Sequence, residues 1–368
     1  MSGQLFARNL YTGKELLHNQ LVQFENGKII AIQAAAEASG ITEVANLAPG
    51  FFDSHINGGE KYYFTREASE EAIDDVYQAS LSTGTAYVLP TLITSPHDNI
   101  LKGIDATRSY MDRHPGSGVL GMHLEGPYLN PVKRGAHVAD YVRKPTTAEL
   151  EEIIRYGKDV IRLMTIAPEM FEPAQIDMLL DSGITISAGH SNATYSEAMQ
   201  AFSKGINLVT HLYNAMSAFG HRAPGLVGAT FDSDVYAPII VDGVHCDYGA
   251  ASIAYKIKKD KLFLISDALF LNHQVQEFKW GEFDARIVEG KYINSDGNLA
   301  GATISLGDAV RNAVQKLGIS VQEAVEMATS RPAKALNLHD RTGSIAAGYP
   351  AVFTTFDDAL TSFEVIRP

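Results

Sequence analysis

Four residues have the types and spacing for hydrolytic chemistry: Glu125, His190, His211 and Asp267. Each stands where a short apolar run gives way to polar residues. The runs are 119–125, 184–188 (followed by Gly189-His190-Ser191), 206–211, and 262–266 (followed by Asp267). Two imidazoles and a carboxylate with one open position form a familiar catalytic zinc set. An ion held there would lower the pKa of a bound water to about 7 and polarise a carbonyl oxygen. A carboxylate beside it, Asp267, could take a proton from that water and return it to a leaving amine. A lone histidine more often satisfies a core or loop hydrogen bond. Three such groups at equivalent positions shift the balance towards a site.

Further polar groups gather at similar places. His55 and Asn57 end the run that starts at Gly50. A His-x-His there would supply two ligands, but an amide is a poor metal ligand. One metal is therefore expected rather than two, with His55 as an auxiliary ligand or a hydrogen-bonded site histidine. His123 shares a strand face with Glu125 and is expected to orient it from behind. The stretch 206–222 runs from apolar residues through His211 to Asn214, Ala215, His221 and Arg222. Arg222 offers a planar fork for phosphate or carboxylate, and His245 a second donor. His137 lies in the loop after Glu125, where it could polarise a substrate carbonyl or simply belong to a basic loop. Cys246, beside His245, reads as a small buried residue rather than a nucleophile.

These groups need elements to position them. Residues 1–48 read as a small β module, with apolar runs at 21–24 and 29–32 flanking Asn26-Gly27, a strong hairpin signal. From residue 49 an apolar run recurs eight times: 50–56, 86–92, 119–125, 160–166, 184–188, 206–211, 236–241 and 262–266. Helical patterns separate most of them, and Thr146 marks one helix start. Runs apolar throughout belong in a parallel sheet covered on both faces. Eight such units predict a (β/α)8 barrel, whose active site lies at the carboxyl ends of its strands. An open doubly wound sheet is disfavoured, because 55–59 is not the glycine-rich phosphate turn that fold needs. Residues 283–298 read as a hairpin or long loop. Short runs at 351–356 and 363–366 are expected to pair with the amino-terminal module. The expected division is a small β-sandwich domain from 1–48 and 339–368, and a barrel from 49–338.

The 368 residues are 45% hydrophobic and carry a net charge of −13, which argues against a general nucleic-acid binder and against adhesion to anionic membranes. A single cysteine excludes an internal disulfide and a cysteine-rich metal site. With no signal-peptide pattern and no membrane-length apolar run, a cytoplasmic protein is expected.

Several segments together resemble the N-acetylglucosamine-6-phosphate deacetylase family, a branch of the amidohydrolase superfamily. They are Pro49-Gly50-Phe51-Phe52-Asp53, His123-Leu124-Glu125-Gly126-Pro127-Tyr128, Gly189-His190-Ser191-Asn192-Ala193-Thr194, Thr210-His211-Leu212-Tyr213-Asn214-Ala215-Met216 and Asp242-Gly243-Val244-His245. The resemblance implies hydrolysis of the acetamide of N-acetylglucosamine 6-phosphate. It implies metal ligation by Glu125, His190 and His211, with Asp267 as base and acid. It further implies that His137 polarises the acetyl group and that Asn214 and Ala215 contact substrate. Arg222 and His245 would hold the phosphate of the neighbouring subunit in a homodimer. The expected cofactor is one divalent ion per subunit, zinc ahead of iron, cobalt or manganese. At the first strand some relatives have His-x-His and others Gln-x-Asn, and His55-Ile56-Asn57 stands between them. The segment after Asp267, residues 268–273, lacks the small and proline-containing residues usual in the family, which bears on the acetyl pocket. Other readings within reach are an N-acetylgalactosamine-6-phosphate deacetylase, a cyclic-amide hydrolase, and a sugar-phosphate sensor that has lost turnover.

Overall fold

The computed structural model describes residues 2–38, 40–271 and 275–368. Four amino-terminal strands come first: β1 (Ser2–Tyr11), β2 (Leu16–Glu25), β3 (Lys28–Ala34) and β4 (Thr42–Pro49). Asn26 and Gly27 both take positive φ, 51° and 73°, and join β2 to β3 as the expected hairpin.

Eight strands follow: β5 (Phe51–Ile56), β6 (Thr85–Ile93), β7 (Met122–Glu125), β8 (Ile161–Ile166), β9 (Thr185–Ala188), β10 (Leu208–Val209), β11 (Ala237–Ile239) and β12 (Leu262–Leu264). Strands β5 to β10 form one parallel sheet, and β11 pairs with β12. Parallel bridges close the circle between Leu208 and Tyr236 on one side and Ile56 and Ala268 on the other. The buried Asp53 carboxylate crosses that second seam, accepting from the His55 and Ser266 amides at 3.2 and 3.3 Å. The predicted barrel is therefore present, with all eight strands where the apolar runs place them. Strand β10 is the shortest, because the backbone leaves extended geometry at His211, whose φ is 31°.

Helices cover the outside. Thr146 caps Thr147–Gly157 as expected, and Ser69, Thr194 and Ser305 cap others. The helix Gly225–Phe231 had no sequence signal, since two of its seven residues are glycine.

Among the described residues the insertion after β12 is a three-stranded antiparallel sheet: β13 (Glu277–Trp280), β14 (Phe283–Val288) and β15 (Lys291–Ile293). It packs on Tyr63, Leu269 and Phe270. Finally β16 (Phe353–Phe356) pairs with β4, and β17 (Phe363–Ile366) with β16. Both chain ends thus build one six-stranded sheet, with its own core around Leu5, Val22, Leu47 and Phe353. Among the described residues no helix is long and apolar enough to cross a membrane.

Strand alternation sorts the barrel wall. On β8, Met164 and Ile166 join the core beneath the helices, while Leu163 and Thr165 face the other way. Leu163 meets Phe52, Leu89, Leu208 and Phe263 in an apolar plug inside the barrel. One step nearer the carboxyl ends lies a buried polar layer. His123 Nε2 is 2.7 Å from Thr165 Oγ1, which is 2.8 Å from Thr210 Oγ1, in turn 2.5 Å from Ser187 Oγ. Thr91 Oγ1 lies 3.3 Å from His123 Nδ1. His123 therefore does not orient Glu125 as the sequence suggested. Its two nitrogens are engaged by the hydroxyls of neighbouring strands, and its ring stands edge-on to His55, 4.6 Å between centroids.

Replacing Thr165 by Val keeps the shape but strands one nitrogen of His123 and leaves the Thr210 hydroxyl with Ser187 as its partner. Denaturant unfolding of Thr165→Val is expected to show a loss of about 1–3 kcal/mol, with Thr165→Ser close to wild type. Equal stability of the Val variant and the wild type would show that the polar layer holds nothing in place.

Candidate active site

One cavity of about 440 Å³ opens at the carboxyl ends of the barrel strands. Its wall contains Glu125, His137, His190, His211 and Asp267, with Asn57, Asn214, Ala215 and His245. Nine of the groups singled out from the sequence thus meet in one place. Arg222 and His221 do not join them: both are exposed on the loop before Gly225.

The centre is a triangle of three buried atoms. Glu125 Oε1 lies 3.2 Å from His190 Nε2 and 3.1 Å from His211 Nε2, and the two nitrogens are 3.1 Å apart. His190 Nδ1 sits 2.9 Å from the Lys133 carbonyl. A carbonyl only accepts, so Nδ1 carries the hydrogen and the neutral ring turns the Nε2 lone pair into the triangle. Lone pairs of nitrogen and carboxylate oxygen at this separation repel unless a cation lies among them. Ligands about 2.0 Å from a tetrahedral ion stand about 3.3 Å from one another, close to these edges. The donor set thus fits a divalent metal by chemistry and by shape. Glu125, His137 and His190 also present ligand atoms within 4.8 Å of one another, so His137 borders the same position.

Electrostatics agree. Burial penalises the Glu125 carboxylate, yet the His55 charge leads the effects that outweigh it and hold its pKa well below the usual carboxylate range. His55 is also buried, which lowers its pKa. Asp267 and Glu125 reverse this and raise it to about 9. Its Nε2 lies 3.2 Å from Glu125 Oε2 and 3.2 Å from Asp267 Oδ1. His137 is shifted the other way, well below the ordinary value, by burial and then by His190. Its Nδ1 is 2.8 Å from Thr94 Oγ1. When that hydroxyl donates, the neutral ring carries its hydrogen on Nε2, 3.7 Å from Glu125 Oε2.

Asp267 is held from two sides. Asn57 Nδ2 donates to Oδ1 at 2.9 Å, and the Asp267 amide donates to the His55 carbonyl at 2.9 Å. Asn57, a poor metal ligand by type, is here the hydrogen-bond partner of the candidate base, a role its sequence context did not signal.

The backbone supplies a signal independent of residue type. His190, His211, Asp267 and Ala215 all have left-handed φ, at 47°, 31°, 49° and 49°. Each such non-glycine residue costs about 1–3 kcal/mol and clusters at functional sites. Gly189 makes this conformation feasible at His190: a Cβ there would lie 2.7 Å from Thr210 Cβ and 2.9 Å from Thr165 Cγ2.

The rim combines polar and apolar parts. His245 Nδ1 is 2.7 Å from Asp242 Oδ2. The Asp242 pKa is lowered because that bond and the His245 charge outweigh burial. Cys246 is buried, and its thiol is pushed up to about 12 by burial and nearby aspartates, in keeping with a packing role. Tyr63, Ile93, Leu269, Phe283 and residues 297–301 complete the wall. Sequence reading missed these, because they contribute apolar surface and backbone from the insertion, without a motif. Of the unusual segment after Asp267, Ala268, Leu269 and Phe270 are buried, while Asn272 and His273 lie outside the described residues.

Comparison with known proteins bears on this arrangement. The model of the amidohydrolase family matches residues 46–367. The chain is 37% identical to N-acetylglucosamine-6-phosphate deacetylase of Haemophilus influenzae, over 94% of this chain and 93% of that one. It is 37% identical to N-acetylgalactosamine-6-phosphate deacetylase of a Shewanella species, over 85% and 79%. The crystal structure of N-acetylglucosamine-6-phosphate deacetylase from Pasteurella multocida superposes with a TM-score of 0.94 at 33% identity, covering 100% of both chains. A cavity built from strand-end histidines and carboxylates is thus set in a fold shared along the whole chain. This protein is a hydrolase of the amidohydrolase family, in its branch of amino-sugar-phosphate deacetylases.

Proposed function

We propose that this chain hydrolyses the acetamide of N-acetyl-D-glucosamine 6-phosphate, giving D-glucosamine 6-phosphate and acetate, in amino-sugar catabolism in the cytoplasm. The carrying observation is the Glu125–His190–His211 triangle beside Asp267 in one cavity. In this reading residues 49–338 form the catalytic barrel, and 1–48 with 339–368 the small β domain.

Glu125, His190 and His211 would hold one divalent ion, with His55 as an auxiliary group. A set of nitrogen and oxygen donors suits zinc. The ion, when bound, supplies a more acidic water and a Lewis acid for the acetyl oxygen. The remaining work belongs to side chains. Asp267 takes the proton of the attacking water and passes it to the departing amine. Asn57 fixes Asp267 Oδ1 during both transfers, with His55 close to the same oxygen. In the tautomer in which Thr94 donates to Nδ1, His137 donates from Nε2 to the acetyl oxygen as negative charge develops there. Asn214 and Ala215 contact the sugar. His245, aligned by Asp242, lines the cavity of its own chain and so meets the phosphate there rather than in the neighbour as expected, while the exposed Arg222 reaches the phosphate in a neighbouring subunit of a homodimer.

Purified protein should release acetate from N-acetylglucosamine 6-phosphate faster than from its galacto epimer. A reversed preference would transfer the assignment to the epimer, the activity named for the Shewanella relative. Asp267→Asn is expected to lower kcat by about 10²–10⁴-fold, the usual scale of general acid–base catalysis. Full activity of that variant would end the proposed mechanism. His190→Ala, measured by elemental analysis, should hold divalent metal at least about 100-fold more weakly than wild type, exceeding the usual effect of losing an outer-shell partner. Retained stoichiometric metal would remove His190 from the ligand set. Arg222→Ala should raise KM for the sugar phosphate while leaving the slow hydrolysis of unphosphorylated N-acetylglucosamine unchanged. Equal effects on both compounds would argue against a phosphate contact.

A further inference from the structure

Glu169 lies in the turn Pro168–Met170 that follows β8, and no step described above uses it. Three donors converge on its carboxylate. Oε1 accepts from the Asn192 amide at 2.7 Å and from Asn130 Nδ2 at 3.0 Å, and Oε2 accepts from Ser191 Oγ at 2.7 Å. Ser191 and Asn192 immediately follow His190. Asn130 belongs to the loop after β7 that carries Lys133 and His137.

The two halves of this clamp meet again at His190. The Asn130 amide donates to the His190 carbonyl at 2.9 Å. Asn130 Oδ1 also accepts from the Val132 amide at 3.0 Å, capping the turn Pro131–Lys133. The carbonyl at the end of that turn is the one 2.9 Å from His190 Nδ1. One route from Glu169 therefore reaches the backbone of His190 through Ser191 and Asn192. The other reaches both its carbonyl and its imidazole through Asn130. A left-handed residue persists only where its surroundings over-determine it. Here the determinants of the 47° φ lead back to one carboxylate. A carboxylate satisfies a backbone amide, a side-chain amide and a hydroxyl together, the two N–H donors sharing one oxygen and the hydroxyl taking the other.

We propose that Glu169 is a positioning residue for the metal centre: it locks the β7 loop to the end of β9, fixing the direction in which His190 presents Nε2. The proposal rests on the reading that Glu125, His190 and His211 hold a divalent ion. Loss of the carboxylate frees the strained backbone at His190 to relax and slackens the Lys133 turn. The ring then samples directions away from the triangle. Metal should leave faster, although no ligand has been removed. Mutation of such outer-shell partners commonly costs 10–100-fold in metal affinity.

The test uses the full-length protein loaded with zinc and, separately, with cobalt. The rate of zinc loss to excess chelator is measured well below the melting temperature, and the cobalt absorption spectrum reports ligand geometry. In Glu169→Ala, zinc loss should accelerate by about 10–100-fold and the cobalt bands should shift. Glu169→Gln keeps an acceptor for Asn192 and Asn130, and should restore both readouts towards wild type. Asn130→Ala cuts the route to the imidazole but leaves the bonds to Ser191 and Asn192 intact. It should also accelerate zinc loss, and serves if Glu169→Ala does not fold. Wild-type metal release and spectrum in the Ala variants would overturn the proposal, as would equal damage in Glu169→Gln and Glu169→Ala. Failure of the underlying reading looks different: the wild-type protein itself would bind no stoichiometric zinc or cobalt.

Discussion

The site depends on one arrangement, in which charged and lone-pair atoms are forced together at the rim of a closed barrel. Glu125 Oε1 and the Nε2 atoms of His190 and His211 stand about a hydrogen-bond length apart. Buried carboxylate and imidazole lone pairs repel, and two of the three residues also carry left-handed backbone strain. Strain at His190, His211 and Asp267 amounts to several kcal/mol, a large part of the 5–15 kcal/mol by which domains are stable. The surrounding lattice of hydrogen bonds offsets it. The Asp267 amide and carbonyl bond to His55 and Ala302, and Leu212 bonds to Pro238 beside His211. Each of these bonds crosses to a neighbouring strand or loop, so the closed barrel is what holds the triangle together.

The interior is layered accordingly. The apolar plug around Phe52, Leu163 and Phe263 supplies burial, and the hydroxyl layer of Thr91, Thr165, Ser187 and Thr210 satisfies His123 above it. Above that layer begin the ionisable groups. This order confines the groups that need a cation or a substrate to the one end that opens to a cavity. It also reconciles a chain of net charge −13 with an anionic substrate. The site is rich in imidazoles, and its carboxylates Glu125 and Asp267 are each paired with histidine. The local field therefore need not follow the global one.

Much of this was legible in the sequence, for a physical reason. A strand buried on both faces must be apolar until it reaches its functional end. The transition from run to polar residue therefore marked Glu125, His190, His211 and Asp267 directly. Capping residues and the Asn26-Gly27 turn are equally local signals. What escaped was what depends on distant segments. Lys133 acts through a carbonyl, which no side-chain code records. Tyr63, Leu269 and Phe283 line the cavity as ordinary core residues would. His123 carried the right face but the wrong partner, because its hydroxyl neighbours come from β6 and β8. Arg222 was legible as a chemical group, yet one chain leaves it outside the cavity, and only a partner subunit would give it a site.

Asn57 shows most clearly how position changes the meaning of a residue. Judged by type it is a failed ligand, an amide where a second imidazole would complete a His-x-His pair. In place, it donates to Asp267 Oδ1, which a neutral imidazole could do from only one tautomer and an imidazolium only by adding charge. The amide donor has no protonation state to lose. It fixes one oxygen of the candidate base whatever happens to the protons around it, while His55 approaches that same oxygen. The other carboxylate oxygen is then the natural one for proton traffic between water and amine. Asparagine in place of a second histidine at the first strand thus exchanges a metal-binding group for a fixed hydrogen bond to the candidate base. That suits the proposed centre, in which Glu125, His190 and His211 would hold a single ion and Asp267 would move protons rather than share a second metal.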